Sequence, residues 1–309
     1  MSSGVIRQVD IAICTWNRDA ILAQTLDSVI KLRVPDSVSL CVLIVDNNST
    51  DHTSSVISSF AARFGASGTV VPLTECQQGH THCRNLAIES ASGDLILWTD
   101  DDVILAPDWV ERYVNAAESE PGNVFWGSVI EPTFQEDPPD WIEHNWENIK
   151  GCFAYRNLGD QAIEFSPSQL PYGANFGIRT NIQREFLFDT DLGRRGEFVF
   201  GEDELDVFRR ILAAGHKGSW IPGAVVQHVI PRQRITEKFV YDYFVGQGKA
   251  LVANGNPWHR DLARLNSEAR SEFLSYKMKR MFADSKTWVS HMIRSALAKG
   301  QFDALRKSN

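Results

Sequence analysis

The first hundred residues alternate between short apolar segments and segments whose apolar residues recur at helical spacing. Leu40–Val45 is the most constraining segment, because its six consecutive apolar residues are typical of a parallel strand covered on both faces. Strands that alternate with helices are joined by right-handed crossovers into one sheet. The pattern predicts an α/β fold with a mostly parallel central sheet and helices on both faces. The other predicted strands are Val9–Cys14, Thr69–Leu73 and Leu95–Trp98.

A polar segment follows each of the four predicted strands. Ligands of α/β sheets bind at the carboxyl ends of the strands. The four segments are therefore predicted to meet at one edge of the sheet and to form a site there. They are Thr15–Arg18, Asp46–Asp51, Gln77–His80 and Asp100–Asp102.

The three adjacent aspartates Asp100, Asp101 and Asp102 are the most unusual of these exits. Their mutual repulsion in a partly buried place must be offset by positive charge. Hard divalent cations prefer oxygen ligands and bridge carboxylates to substrate phosphates. A site for a metal ion and a diphosphate is one interpretation. A solvated acidic turn that caps the next helix is the other.

The order of motifs along the chain resembles that of family 2 glycosyltransferases, which have the GT-A fold. Each motif alone is weak, but their shared order and spacing cover about residues 8–235. The matching segments are Thr15–Arg18, Val45–Asp51, Gly79, Arg84–Asn85, Gly93–Asp94, Asp100–Asp102, Gly173–Asn175 and Gly201–Asp203. Asn47 departs from the family pattern, in which a second acidic residue often reaches the nucleobase.

The resemblance implies a role for each matched residue. Arg84 would contact the diphosphate or brace the aspartates, and Asp102 would bind the metal. His228 would be a further metal ligand or a diphosphate donor, although a strand-end histidine bonded to backbone is equally compatible. Asp203 would be the catalytic base, with Glu202 or Glu204 as the alternatives. The remaining nucleotide-sugar-binding residues would be Thr15, Asn17, Arg18, Asp46, Asp100 and Asp101.

The function implied is transfer of a hexose or N-acetylhexosamine from a nucleotide sugar, expected to be a UDP-sugar, to a hydroxyl acceptor. Mn²⁺ or Mg²⁺ would be the cofactor, and a single displacement would invert the anomeric carbon. Bacterial polysaccharides or lipid-linked glycans are the expected acceptors. Two other functions stay open, a sugar-phosphate nucleotidyltransferase and a binding module that holds a nucleotide sugar without turnover.

The predicted organisation is a GT-A domain over residues 1–238 and a helical extension over residues 239–309. Within the first, the nucleotide-binding half spans about 8–105, and the acceptor and catalytic half spans about 106–238. Glu131–Asp140 is rich in proline and acid, and it is predicted to be a loop. Trp141 and Trp146 follow this segment, either stacking on an acceptor sugar or packing the segment onto the domain.

Charge is distributed unevenly over the 309 residues, whose net charge is −8. Residues 260–309 contain 11 Lys+Arg and 5 Asp+Glu, a balance of +6, which leaves −14 for the remainder. The acidic body excludes a general nucleic-acid binder. Five cysteines without a CxxC pair, and the lack of a signal peptide or of the roughly 18 apolar residues needed to span a bilayer, predict a cytoplasmic protein.

The basic C-terminal segment is predicted to be helical. Basic residues alternate there with large apolar ones, which is typical of a helix that lies on an anionic membrane surface. A helix packed on the domain with its lysines in water is the alternative. The residues concerned are Phe273, Leu274, Tyr276, Lys277, Met278, Lys279, Arg280, Met281, Phe282 and Lys286.

Overall fold

The computed structural model describes residues 5–65, 67–191, 203–253 and 255–308. Its largest sheet, named here the central sheet, has the strand order β3-β2-β1-β4-β9-β6-β10-β8. The strands are β1 (Gln8–Thr15), β2 (Ser39–Asp46), β3 (Thr69–Thr74), β4 (Leu95–Asp100), β5 (Val103–Leu105), β6 (Asn123–Gly127), β7 (Ile130–Phe134), β8 (Ile163–Glu164), β9 (Asn175–Arg179), β10 (Lys217–Trp220) and β11 (Val226–Ile230).

The first half of the central sheet is parallel, as the sequence pattern predicts. Strand β1 pairs in parallel with β2 and β4, and β2 pairs in parallel with β3. Strand β9 is antiparallel to both of its neighbours, β4 and β6. The α/β prediction is confirmed, and the antiparallel pairs lie in the half of the sheet that the later part of the chain builds.

Helices cover both faces of the central sheet. The described part of the chain contains the helices α1 (Asp19–Val29), α2 (Thr53–Phe64), α3 (His80–Ser90), α4 (Trp109–Ser119), α5 (Asp140–His144), α6 (Trp146–Ile149), α7 (Thr180–Glu185), α8 (Asp203–Ala213), α9 (Glu237–Ala253), α10 (Leu262–Lys279) and α11 (Ser285–Ser308). Short 3-10 turns span Lys150–Phe153 and Arg232–Arg234.

Alternate residues of the buried strands point into two separate cores. Val9, Ile11 and Ile13 of β1 pack with apolar residues of α1, α2 and α4. Ala12 of β1 belongs to the opposite core, which contains apolar residues of α3, α7 and α8. Because both faces are covered, the continuous apolar run of β2 is buried on each side.

Part of the segment predicted to be a loop is a strand. Ile130–Phe134 forms β7, which lies at one edge of a small sheet of order β5-β11-β7. Pro132 lacks a backbone N–H, but an edge strand needs hydrogen bonds on one side only, so proline is tolerated there. Proline and acidic residues therefore misled the prediction for this half of Glu131–Asp140.

The described residues form two compact units. The first contains those of Met1–Thr133, Ala154–Gly196 and Gly201–Val229, and the second contains those of Phe134–Phe153 and Ile230–Asn309. A boundary near residue 238 stays a prediction.

The second unit has its own apolar core, which includes Ile149, Phe153, Val240, Trp288 and Met292. Helix α11 packs against α9 and α10. The helical C-terminal segment is thereby confirmed. Among the described residues, no helix is long and apolar enough to cross a membrane.

Candidate functional site

The exits of β1 and β2 are tied to each other by hydrogen bonds. The backbone N–H of Asn17 donates to Oγ of Ser49 at 2.8 Å, and Oδ1 of Asn17 accepts from the N–H of Thr50 at 2.7 Å. Asn17 has a φ of 50°, a left-handed conformation that asparagine adopts more readily than most residues. Oδ1 of Asp46 accepts from the N–H of Ser49 at 3.0 Å, a hydrogen bond within the segment that follows β2. Two predicted nucleotide-pocket residues thus have defined structural contacts.

Asn47 anchors the segment that leads into α3. Its Nδ2 donates to the carbonyl oxygens of Glu75 and Gln77, both at 2.9 Å, and its Oδ1 accepts from the N–H of Gly79 at 2.8 Å. A carboxylate has no donor and could not make the first two bonds. The departure of Asn47 from the family pattern therefore has a structural cause in this chain.

Arg18 supplies the positive charge that the acidic triplet requires. Its Nη1 lies 2.7 Å from Oδ1 of Asp101 and 3.0 Å from Oδ2 of Asp102, and both carboxylates are buried. Burial raises the pKa of Asp101 to about 6, with a further rise from Asp102, and Arg18 opposes these effects. The carboxylates, with Asp101 first, in turn raise the pKa of Arg18. Thr15, at the end of β1, is also buried.

Strand β11 brings His228 to Asp102. The register places His228 opposite Val103 of β5, and the N–H of Val229 donates to the carbonyl oxygen of Asp102 at 2.8 Å. As a result, Nε2 of the buried His228 lies 3.4 Å from Oδ1 of Asp102. These two residues are separated by more than a hundred positions, yet the small sheet makes them neighbours.

The donor set at Asp102 fits a divalent cation that shares its coordination with a substrate. No group of three or more His, Cys, Asp and Glu side chains suited to a metal occurs in the described part of the chain. Mg²⁺ and similar ions keep several waters and are held by one or two carboxylates together with substrate phosphates. One carboxylate and one imidazole, Asp102 and His228, meet that smaller requirement.

The second acidic group of the site is formed by α8 and α3. Nη1 of Arg84 lies 2.8 Å from Oδ2 of Asp203 and 3.5 Å from Oε2 of Glu204. Burial would lower the pKa of Arg84, but the carboxylates of Asp203, Glu204 and Asp100 raise it, and the net shift is upward. Arg84 therefore braces Asp203 and Glu204, and Asp100 is close enough to act on it as well.

Aromatic rings complete the environment of Arg84. The centre of its guanidinium lies 4.8 Å from the ring of Phe188 and 5.8 Å from those of Trp98 and Phe176. Guanidinium groups stack favourably on aromatic faces. The cation is thus fixed from two directions, by carboxylates and by rings.

Two residues of this group were not assigned a role from the sequence. His80, the last residue of the polar segment Gln77–His80, is the first residue of α3, and its Nδ1 is 3.9 Å from Oδ2 of Asp203. A Cβ on Gly173 would lie 2.9 Å from Nη2 of Arg84 and 3.1 Å from Oε1 of Glu204. Gly173 thus leaves the room that the Arg84–Glu204 contact needs. The sequence feature that could have indicated this place for His80 is Gly79, which lies directly before the first residue of the helix.

Asn175, in the same matched segment as Gly173, supports the fold. Its Oδ1 accepts from Trp109 Nε1 and from the hydroxyl of Tyr113, both at 2.8 Å. Its Nδ2 donates to the carbonyl oxygens of Val129 and Ala224 at 2.8 and 2.7 Å. All its hydrogen-bonding capacity is used inside the protein. Glu202, a predicted catalytic residue, lies outside the described residues.

The chain belongs to glycosyl transferase family 2, whose model matches residues 10–174. The matched range contains the four strand exits and the Asp100–Asp102 triplet. It ends before Asp203 and His228.

Relatives and solved structures agree with this family and with the GT-A fold. The chain is 24% identical over 234 residues to the succinoglycan biosynthesis protein ExoM of Rhizobium meliloti (strain 1021), covering 73% of this chain and 68% of ExoM. It is similar in fold to the mannosyltransferase PcManGT from Pyrobaculum calidifontis, solved in complex with GDP-Man and Mn²⁺, with a TM-score of 0.61 and 17% identity over 99% of this chain and 88% of the other. GalNAc-T7, solved with UDP, GalNAc and Mn²⁺, gives a TM-score of 0.56 and 15% identity over 85% and 53%.

Proposed function

We propose that this glycosyltransferase transfers a hexose or N-acetylhexosamine from a nucleotide sugar, foremost a UDP-sugar, to a hydroxyl acceptor. The observation that carries the proposal is that two groups of acidic side chains, located where strands end and where helix α8 begins, are each paired with an arginine. The first is Asp101 and Asp102 with Arg18 and His228. The second is Asp203 and Glu204 on the buried Arg84.

The first group is proposed to bind the diphosphate of the donor. Asp102 and His228 would hold Mn²⁺ or Mg²⁺, and a bound divalent cation neutralises charge that develops on a leaving diphosphate. Arg18 contacts the triplet at 2.7 Å and 3.0 Å, and its guanidinium can also contact phosphate oxygens. The two solved structures named above, PcManGT and GalNAc-T7, contain Mn²⁺ together with a nucleotide or nucleotide sugar, which supports this assignment.

The second group is proposed to perform the proton transfer. The acceptor hydroxyl oxygen forms a bond to the anomeric carbon while the bond from that carbon to the diphosphate oxygen breaks. The hydroxyl proton passes to a carboxylate oxygen of Asp203, and attack opposite the leaving group inverts the anomeric carbon. Arg84 favours the ionised carboxylate that this step needs, and Glu204 keeps the guanidinium paired after Asp203 is protonated.

The acceptor is proposed to be a growing bacterial polysaccharide or a lipid-linked glycan. The relationship to ExoM, which is described as a succinoglycan biosynthesis protein, supports this class. The similar structures do not agree on the nucleotide of the donor, since one contains GDP-Man and another contains UDP.

A thermal-shift screen tests the donor and the metal. A ligand that binds only the native state raises its melting temperature, so UDP-sugars and GDP-sugars are compared with and without Mn²⁺. We expect one nucleotide class to raise Tm in a manganese-dependent way. If no nucleotide sugar changes Tm with or without the cation, the assignment of the triplet is wrong.

Product analysis separates the proposed reaction from its alternatives. A transferase releases nucleoside diphosphate only when an acceptor is present, apart from slow hydrolysis. A nucleotidyltransferase would release pyrophosphate from a nucleoside triphosphate and a sugar phosphate. A binding module would shift Tm without releasing either product.

A further inference from the structure

The outward face of α10 and the turn that follows it carry an exposed apolar surface. Leu274 is 69% exposed, Met281 is 67% and Phe282 is 85%. Met278 is exposed on the same helix, four residues after Leu274 and three before Met281, and Phe273 is exposed directly before Leu274. We define this set, Phe273, Leu274, Met278, Met281 and Phe282, as the α10 patch. Large apolar side chains clustered on a surface mark an interaction site.

The α10 patch projects from a folded helical pair. On the inward side of α10, Leu265 and Tyr276 are buried, and Tyr276 contacts the ring of Trp288 on α11 at a centroid distance of 6.0 Å. The side chain of Glu272 bonds to His291 of α11. Leu274 and Met278 are therefore on the side of α10 that faces away from α11, and Met281 and Phe282 lie in the turn between the two helices. Their exposure does not reflect an unfolded end.

Three exposed basic side chains, Arg270, Lys277 and Lys286, accompany the patch. Nζ of Lys277 lies 5.5 Å from the ring of Phe273 and 4.9 Å from that of Tyr276, which holds its charge close to the apolar surface. Two other cations of the segment have partners within the protein. Arg280 donates to Glu237 at 2.8 Å, and Lys279 lies 2.7 Å from His291. The sequence pattern had counted these two, and Tyr276, as part of the basic amphipathic surface.

The charge of the three basic residues beside the patch is opposite to the net charge of the chain before residue 260. The exposed face of the patch, from Arg270 to Phe282, contains no exposed carboxylate, and the nearest one along the chain, Asp284, caps α11 through Thr287. A protein whose residues before 260 carry a balance of −14 thus presents a local cationic and apolar surface. A tryptophan, Trp141, lines the cleft beside the turn together with Arg280 and Lys286.

We infer that the α10 patch docks onto the surface of an anionic lipid bilayer. Met281 and Phe282, two consecutive apolar side chains at the tip of a helical turn, would enter the acyl boundary. Arg270, Lys277 and Lys286 would face anionic headgroups, which attract basic residues near the membrane surface. Tryptophan is favoured at the same depth. This inference concerns the second unit and does not depend on the proposed transfer reaction.

Vesicle co-sedimentation of the full chain tests the inference. The vesicles are phosphatidylcholine with and without phosphatidylglycerol. We expect binding only to the anionic vesicles, and binding should weaken markedly as salt rises from roughly 0.05 M to 0.5 M, since screening shortens to a few Å. Absence of binding to anionic vesicles at low salt overturns the inference.

Matched variants separate the two contributions. M281S/F282S should weaken partitioning by at least about tenfold through lost apolar burial. R270Q/K277Q/K286Q should weaken it by about fivefold per charge removed. The controls are L187S, which changes an exposed leucine of the first unit, and K31Q/K217Q/K307Q, which removes the same number of exposed basic side chains elsewhere. Equal losses in the control variants would overturn the assignment to this patch.

Two further readouts keep the outcomes distinct. Melting temperature and the Tm shift with a nucleotide sugar should be unchanged in M281S/F282S, because these two exposed residues of the turn after α10 support neither the core nor the donor site. Light scattering of the wild type measures self-association. A dimer that M281S/F282S dissociates, with vesicle binding retained, would show that a second copy of the chain covers the patch, and that result also overturns the inference.

Discussion

Nη1 of Arg84 lies 2.8 Å from Oδ2 of Asp203, and each side chain is only 3% exposed. The pair joins the start of α8 to the body of α3 across 119 positions of the sequence. A buried cation needs a counterion, and a proton-accepting carboxylate needs to stay ionised. The same contact therefore serves the stability of the first unit and its proposed chemistry.

Removing one partner of this buried pair should destabilise the protein. Arg84→Met removes the cation that lies 2.8 Å from the buried Asp203, and breaking buried pairs typically costs about 3–5 kcal/mol. Urea denaturation measures the loss in the free energy of unfolding. The double variant R84M/D203N carries no unpaired charge between these two positions, so it should recover part of the stability. A double variant no more stable than R84M would contradict the pairing.

Gly173→Ala should disturb the same contact by a steric route. The added Cβ would lie 2.9 Å from Arg84 Nη2 and 3.1 Å from Glu204 Oε1, closer than packed atoms normally approach. Overpacking of this kind costs about 1–3 kcal/mol, and transfer activity should fall with it. The control is Gly122→Ala, where a Cβ would meet nothing within 4 Å. Equal denaturation midpoints for the two variants would refute the steric argument.

The stability of the metal-free protein should depend on the protonation of Asp101. Its pKa is about 6 in the folded chain against an ordinary value of 3.8. Because the folded state binds this proton more tightly than the unfolded state, the stabilisation is complete below about pH 3.8 and is lost as pH rises to about 6. The corresponding change in the free energy of unfolding is on the order of 3 kcal/mol.

Asp101→Asn should remove this pH dependence. Unfolding free energies of both proteins, measured in EDTA between pH 4 and 7, should converge at the acidic end and diverge at the neutral end, with the variant more stable there. The control is Asp36→Asn, an exposed aspartate of the α1–β2 connection. Parallel pH profiles for D101N and the wild type would contradict the assigned shift.

Asp102→Ala should abolish the manganese-dependent Tm shift with the donor nucleotide. Asp102 is the residue that faces His228 at 3.4 Å, and the substitution leaves a single proposed ligand. The loop follows a strand and the backbone bond from Val229 is unaffected, so the fold should persist. Asp36→Ala is the control. A full metal-dependent shift in D102A would remove this residue from the metal site.

The local parts of this account could be predicted from the sequence, and the long-range parts could not. Uniformly apolar strands followed by polar residues predict a sheet with a polar edge, and the exits of β1 and β2 do meet through Asn17 and Ser49. Which cation neutralises which carboxylate depends on how the helices are placed. No periodicity links Arg84 to Asp203, or His228 to Asp102.

The other differences between the sequence predictions and the structure occur at an edge strand, at a helix start and on the face of α10 that meets α11. Pro132 reads as a loop signal along the chain, but its strand lies at an edge, where one missing N–H has no cost. The glycine before His80 is typical of a loop, but in the structure it lies directly before α3, and His80 is the first residue of that helix. Tyr276 and Lys279 fit a surface pattern by spacing, yet both turn towards α11.

Turnover of Asp203→Asn is the most direct test of the central claim, since the change is nearly isosteric and removes the proposed base. It also removes one of the two carboxylates that pair with Arg84, so turnover is measured under conditions in which the variant is folded. The measurement is acceptor-dependent release of nucleoside diphosphate, alongside donor affinity from the Tm shift. We predict transfer lower by about 10²–10⁴ with donor affinity within a few-fold of the wild type. Glu204→Gln, the matched control on the same helix turn, should retain most of the activity. Wild-type turnover by D203N would contradict the account and move the base to another carboxylate.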